Sequence, residues 1–277
     1  MDIVDNYFLE KTDKVSFIEL RKGAYIKIKD YIIEDNIPLP IVTDTLIKEI
    51  KGGSIYEEFK ISHLVEGAIY VLGIDSDFKF KDEYKTILYN YASNIEDYIL
   101  YKGFKYIENK RYDDGAICFR ALTNINNKNI NGIFNYALSL ESISGNYMNR
   151  GDNEKGRAFL IESTNQLESI LGITSDFSLA YYKLGYHYKY YEQFLKAKII
   201  WEKYLKLGDD EGRLQEIREQ LTIIADDVDF EEGLSYLSNM EYELALEKFL
   251  RLARKHENWW NIFYLIGLAY KGMGEYE

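Results

Sequence analysis

Small residues recur along the last two-thirds of this 277-residue chain, at Gly103, Ala137, Gly185, Gly233 and Gly267. Each sits inside an apolar stripe of helical spacing, and the intervals are 34, 48, 48 and 34 residues. Glycine inside a helix costs about 1 kcal/mol relative to alanine, so a recurrent one needs an offsetting gain. Close approach of a second helix supplies it. The clearest unit begins at Ser178. Tyr181, Leu184, Gly185 and Tyr188 share one helical face, and Ala197, Ile200, Trp201, Tyr204 and Leu205 share another after a short turn at Glu192-Gln193-Phe194. That is a helical hairpin in which Trp201 covers the gap left by Gly185.

The same register repeats. Gly103 is followed by Tyr106, Tyr112 and Phe119, with Gly115 as the second small residue, and Gly233 by Tyr236, Tyr242, Ala245 and Phe249. Ile133, Ala137 and Leu140 lead to Ser163, Leu167 and Ile170; Phe263, Ile266, Gly267, Tyr270, Gly274 and Tyr276 begin a fifth unit that has no second helix. Two intervals exceed 34 by 14 residues. One excess is placed in the turn and helix start at Gly145–Asn153. The other is an additional amphipathic helix carrying Leu214, Ile217, Leu221 and Ile224.

These residues resemble the tetratricopeptide repeat, with Tyr181 in the Trp place, Leu184-Gly185, Tyr188, Ala197 and Trp201 in the following ones, and Asp209 near the usual proline. The resemblance covers residues from about 95 to 277. It implies an all-α fold, a right-handed superhelical array of antiparallel hairpins. The expected division is a helical capping module over 1–92, or a diverged first repeat, followed by an array over 93–277 of four hairpins and a truncated fifth. A longer parent chain, or a covered terminal helix, would account for the missing half.

Residues 1–92 fit the repeat poorly. Ile18, Tyr25, Ile28 and Ile32 have helical spacing within Val15–Glu34, although Tyr25–Tyr31 also reads as a strand. Pro38-Leu39-Pro40 breaks the chain, and further helices are expected at Ile41–Lys51, Ser62–Gly73 and Asp82–Tyr91.

The formal charge of −12 disfavours a nucleic-acid partner. No run of about 18 uncharged apolar residues and no signal-peptide pattern is present, so a cytoplasmic location and no membrane partner are expected. One cysteine, Cys118, excludes an internal disulfide and reads as a small buried residue. Phosphate loops, dinucleotide fingerprints and zinc motifs are absent, so the expectation is no enzyme, no cofactor and no metal. Gly272-Met273-Gly274 lies inside a helical pattern, His63, His187 and His256 are isolated, and Asp226, Asp227, Asp229, Glu231 and Glu232 read as solvated carboxylates at a helix start.

The resemblance places function on a concave channel lined by first helices. By its register the lining includes Leu100, Phe104, Ile107, Phe134, Leu138, Glu141, Tyr182, Tyr186 and Lys189, with Asn131, Asn135 and Lys183 at the edge or floor. Asparagine can hold a peptide backbone by both donor and acceptor, and tyrosine offers area at low entropic cost. The expected function is a scaffold binding a protein or peptide in this groove. A self-associating structural protein, through the C-terminal helix, and a peptide-responsive regulator are the alternatives.

Overall fold

The computed structural model describes residues 2–43 and 60–274, and among them 13 α-helices and four short strands form two compact units, 1–173 and 174–277. The chain is thus predominantly helical, as the sequence implies.

The first unit begins with α1 (Ile3–Leu9) and a 3-10 turn (Glu10–Lys14), followed by β1 (Val15–Ile18), β2 (Ile26–Ile28), β3 (Tyr31–Ile33) and β4 (Leu39–Val42). β1 pairs antiparallel with β4, Val15 opposite Val42, and β2 pairs with β3, Ile26 opposite Ile33. The helical reading of Val15–Glu34 is therefore wrong. Its stripe residues Ile18, Tyr25 and Ile32 are exposed, whereas Val15, Ile28 and Ile33 are buried. Alternation of period two won, and the alternative strand reading at Tyr25–Tyr31 falls on β2 and the start of β3: Ile28 and Ile33 are buried on one face of that ribbon, while Lys27 and Ile32 are exposed on the other. Ile41 and Val42 likewise belong to β4, and the rest of the helix expected at Ile41–Lys51 lies, beyond Thr43, outside the described residues.

Six helices complete this unit: α2 (Ile61–Ile74), α3 (Lys81–Tyr91), α4 (Ile95–Glu108), α5 (Tyr112–Ile125), α6 (Ile130–Asn149) and α7 (Asn153–Ile173). α2 is buried along nearly its whole length. A side chain at Gly67 would collide with the Pro40 carbonyl of β4, and one at Gly73 with the Ile117 carbonyl of α5. Buried Arg120 of α5 then closes the arrangement. It donates to the carbonyls of Gly73 (3.1 Å) and Ile74 (3.0 Å) at the end of α2, pairs with Asp5 of α1, and stacks over Phe8. A cation on the last carbonyls of a helix satisfies acceptors that have no partner within it.

The second unit holds α8 (Ser178–Tyr190), α9 (Phe194–Leu207), α10 (Glu211–Ile223), α11 (Ala225–Ser238), α12 (Tyr242–Lys255) and α13 (Trp260–Met273). A Cβ on Gly103, Gly185 or Gly233 would strike the ring of Phe119, Trp201 or Phe249 respectively. Ala137 lies fully buried, and the Ser163 hydroxyl donates to its carbonyl at 2.8 Å. Tyr181, Leu184, Tyr188, Ala197 and Ala245 are buried as well, and Tyr236 packs against the Phe249 cluster. Gly267 differs: nothing stands within 4 Å of a Cβ built there, and it is Gly272 that meets a ring, that of Tyr242. Gly267 thus meets no ring among the described residues, and Tyr270 beside it is only half-buried.

Every hairpin turns the same way. The amide of Arg111 donates to Tyr106 O (2.9 Å), Asp152 to Tyr147 O (3.0 Å), Gln193 to Tyr188 O (2.9 Å) and Glu241 to Tyr236 O (2.9 Å). The preceding residue has positive φ in each case: Lys110 (62°), Gly151 (82°), Glu192 (57°) and Met240 (63°). This is the left-handed helix ending in which the two outermost bonds satisfy the last carbonyls. The expected excess at Gly145–Asn153 is also relocated. α6 has 20 residues and α7 has 21, against 14 in each of α4 and α5, so about two turns are added to each helix and the turn stays short.

The acidic run is not a solvated face. Asp226 binds Lys255 and His256, Asp229 pairs with Lys248 and Arg251, and Glu232 with Lys198 and Lys248. The Glu231 carboxylate accepts from the amides of Phe194 (2.9 Å) and Leu195 (2.7 Å), capping α9 from α11. Helix N-termini favour a carboxylate there.

Met240 pays the steric cost of the left-handed region while 74% exposed, so its side chain adds little packing. Met240→Gly is expected to stabilise the chain by roughly 0.5–1 kcal/mol, because relief of the strain exceeds the lost entropy. Urea unfolding reads this as a higher midpoint at unchanged slope; a lower midpoint contradicts it.

Candidate functional site

Within the first unit, α4, α5 and α6 enclose a cavity of about 510 Å³. Its apolar walls are Phe104 and Ile107 from α4, Phe119 from α5, and Leu138 and Ile143 from α6. The Phe104 and Phe119 rings meet edge to face at 5.4 Å, fixing one wall. Along α6 a polar stripe borders this space: Asn135, Ser139, Ser142 and Asn146, spaced as one helical face, then Arg150 just past the helix end. The two added turns of α6 carry Asn146 and bring Arg150 into the lining.

At one end of the cavity stands Tyr7, brought there by α1. Its ring packs edge-on against Phe159 (5.2 Å) and Tyr147 (6.4 Å). Its hydroxyl donates to Asp113 Oδ1 (2.6 Å), whose Oδ2 accepts from Lys11 (2.7 Å). Burial, then the Asp113 carboxylate, push the Tyr7 hydroxyl well above the ordinary tyrosine value. Burial alone would raise Asp113, but the bonds from Lys11 and Tyr7 outweigh it and hold its carboxyl below the ordinary range. Asp113 is therefore already neutralised by protein groups. Arg150 makes no ion pair among the described residues, so the cavity presents one uncommitted cation.

Of the groove residues expected from the sequence, Phe104, Asn135 and Leu138 line this cavity together with Ile107. Asn131 lies exposed at the start of α6, and neither it nor Phe134, Leu100 or Glu141 borders the space. Tyr7, Asp113 and Arg150 were not expected there. Tyr7 is more than 100 residues from its partner Asp113, and no local pattern signals such a contact.

Tyr182, Lys183, Tyr186 and Lys189 belong to α8 of the second unit, and this face is covered. α10 lies over it. Tyr182 donates to Glu216 (3.0 Å), Tyr186 donates to the same carboxylate, and Lys189 donates to Gln220 (2.7 Å). Arg213 stands over the Tyr182 ring at 5.4 Å, and the Tyr186 ring rests on Trp201 at 5.1 Å. Burial, then the bond to Glu216, raise the Tyr186 hydroxyl above its ordinary value. Lys183 is half-buried beside them. The expectation that Tyr182, Tyr186 and Lys189 line open groove is thus corrected: the extra helix fills it.

Cys118 is fully enclosed, and burial pushes its thiol up to about 12, which keeps it protonated at neutral pH. Among the described residues no three His, Cys, Asp or Glu side chains gather as a metal site, and no helix is long and apolar enough to cross a membrane.

No family model matches the chain, and no curated protein matches it. Among solved structures, the MamA protein matches with 16% identity over 65% of this chain and 83% of MamA, at a TM-score of 0.32. A tetratricopeptide repeat protein from Parabacteroides merdae matches with 14% identity over 84% of this chain and 72% of its own, at a TM-score of 0.33. The hairpin architecture rests on the contacts within this chain rather than on likeness at that level.

The Asp113 bonds tie α1 to α5, and they set an acid sensitivity. A carboxylate whose folded value is depressed stabilises fully above its ordinary value, about 3.9, and loses that contribution as pH falls through the folded value. Below about pH 4 wild-type stability should fall more steeply than that of Asp113→Asn. Urea midpoints across pH 5 to 2.5, roughly the window implied, measure this; parallel curves contradict it.

Proposed function

We propose that the first unit binds an extended polypeptide segment along α6 and catalyses no reaction. The observation that carries this reading is the polar stripe Asn135–Ser139–Ser142–Asn146 facing an apolar wall in a cavity of about 510 Å³. Cavities of this size and lining suit one or two large apolar side chains held by a few polar groups. From Asn135 to Arg150 the helix rises roughly 22 Å, at 1.5 Å per residue, the span of about six or seven extended residues. Asn135 Nδ2 and the Ser139 hydroxyl already donate to carbonyls one turn back (2.8 and 2.9 Å), so toward a peptide backbone these two side chains offer chiefly their oxygens as acceptors, without reading its sequence. Phe104, Ile107, Phe119, Leu138 and Ile143 would select for an apolar side chain, and Arg150 would favour a carboxylate near one end of the segment.

The test is a peptide display selection against the full chain, followed by titration of the selected peptides. Leu138→Asp and the pair Asn135→Ala with Ser142→Ala should each weaken binding at least ten-fold, about 1.4 kcal/mol or more. Tyr182→Phe, on the covered face, should leave it unchanged. Peptides that bind all variants equally would exclude this groove.

A second reading, self-association, is favoured by α13. Trp260 (73%), Phe263 (49%) and Tyr264 (63%) are exposed on one stripe that continues to Gly267. Lys271 is the one charged residue in this helix. In a chain of net charge −12, a partner for so neutral and aromatic a face must itself be neutral there, and a second copy of the same stripe supplies that match. Sedimentation should show concentration-dependent dimers that Trp260→Glu with Tyr264→Glu abolishes. A wild-type monomer at the highest soluble concentration rejects this reading.

A further inference from the structure

We infer that the Tyr182–Tyr186–Lys189 face of α8 is a second, separate binding surface, built for an amphipathic helix that carries a carboxylate, with α10 as its internal occupant. The chemistry of the ligand is spelled out by α10 itself. Two hydroxyls from adjacent turns of α8 converge on one carboxylate, Glu216, and Lys189 takes the Gln220 side-chain oxygen one turn further on. Glu216 and Gln220 are four residues apart, so they share a face of α10; Tyr182, Tyr186 and Lys189 share a face of α8. The pairing is helix against helix, with polar groups in register. Leu214 and Ile217 are the buried residues of α10, so the helix has an apolar side as well as the polar one that meets α8.

Three features mark α10 as an occupant and not as a fixed layer of the stack. The interval between Gly185 and Gly233 contains it as an addition to the hairpin pattern, so the hairpins on either side are complete without it. The hairpins on both sides are also joined directly: Glu231 of α11 caps α9, and Glu232 pairs with Lys198. Those bonds bypass α10 altogether. Finally, α10 has 13 residues, with Arg213, Gln215, Arg218, Glu219, Thr222 and Ile223 exposed. A helix of that length is marginal in water without tertiary contacts, so it stays folded only while the bonds to Glu216 and Gln220 and the burial of Leu214 and Ile217 hold. A competing helix with the same carboxylate and apolar spacing would gain the same two tyrosine bonds.

The experiment uses the full chain and a synthetic peptide of residues 209–224, labelled and blocked at both ends. Glu216→Lys removes the internal carboxylate and should release α10. Hydrogen exchange across 211–223 is expected to rise at least ten-fold in this variant while α8 and α9 stay protected. The peptide should then bind the variant at least ten-fold more tightly than wild type, and its own Glu216→Gln version should lose that advantage. If Glu216→Lys does not fold, Tyr182→Phe with Tyr186→Phe keeps both rings and tests the same bonds; it should raise exchange in 211–223 alone. Exchange in α10 as slow as in α9 for every variant, or no peptide binding to a variant whose α8 and α9 remain protected, overturns the inference. A failure here leaves the cavity of the first unit untouched, since none of these residues borders it.

Discussion

The hairpins of this chain depend on a ring pressed against a bare backbone. At Gly103, Gly185 and Gly233 the Cβ position is filled by Phe119, Trp201 and Phe249. Each ring is fully or nearly fully buried, so the contact excludes water as well as filling space. Replacing such a ring by alanine typically costs about 3–5 kcal/mol through lost burial and the cavity left behind. A helical glycine costs about 1 kcal/mol, which is smaller, and the balance explains why the glycines persist at these places. Ala137 is the variation: the Ser163 hydroxyl bonds its carbonyl, and a hydroxyl demands less room than a ring.

Once the two helices of a hairpin are held at that distance, the turn between them has little freedom. Four turns end in the same pair of amide–carbonyl bonds, with a left-handed residue seven positions after the glycine in three of them and fourteen after Ala137 in the fourth. The fourth comes later because α6 is about two turns longer. Side chains then join one hairpin to the next through the shared apolar core, and ionic or polar joints add to it. Glu231 on the amides of α9 is such a joint, and Arg120 on the last carbonyls of α2 is another. Both use helix-end groups that would otherwise lack an intrahelical partner.

The periodic part of this architecture was legible because its determinants are local. An apolar stripe, a small residue and a ring in the following helix all lie within about one repeat, and the addition carrying Leu214 and Ile217 shows as a helix for the same reason. The first 42 residues were legible only in part, in the strand alternative at Tyr25–Tyr31 that falls on β2 and the start of β3. Their strands are three or four residues long, and Ile18, Tyr25 and Ile32 happen to fit helical spacing while facing solvent. Long-range contacts were beyond reach too. Nothing near Tyr7 or Asp113 in sequence says that they meet, and nothing near Tyr186 says that Glu216 will sit on it. Register alone placed Phe104, Asn135 and Leu138 on one cavity, because neighbouring first helices must share a face. It put Tyr182 and Tyr186 on the equivalent face but could not see what lies over them.

The two additions of 14 residues therefore act in opposite ways on equivalent surfaces. The first is spread over both helices of one hairpin, and it prolongs the wall on which Asn146 stands and Arg150 follows. The second forms a helix of its own and lays Glu216 across the tyrosines of α8. Length added within a hairpin keeps the small-residue contact and extends the exposed face by whole turns, since the helical period must be preserved for the stripe to stay on one side. Length added between hairpins carries no such constraint, so it can fold back and satisfy polar groups that the hairpin presents. A repeat of fixed geometry thus gains an open surface or a filled one according to where the extra residues enter.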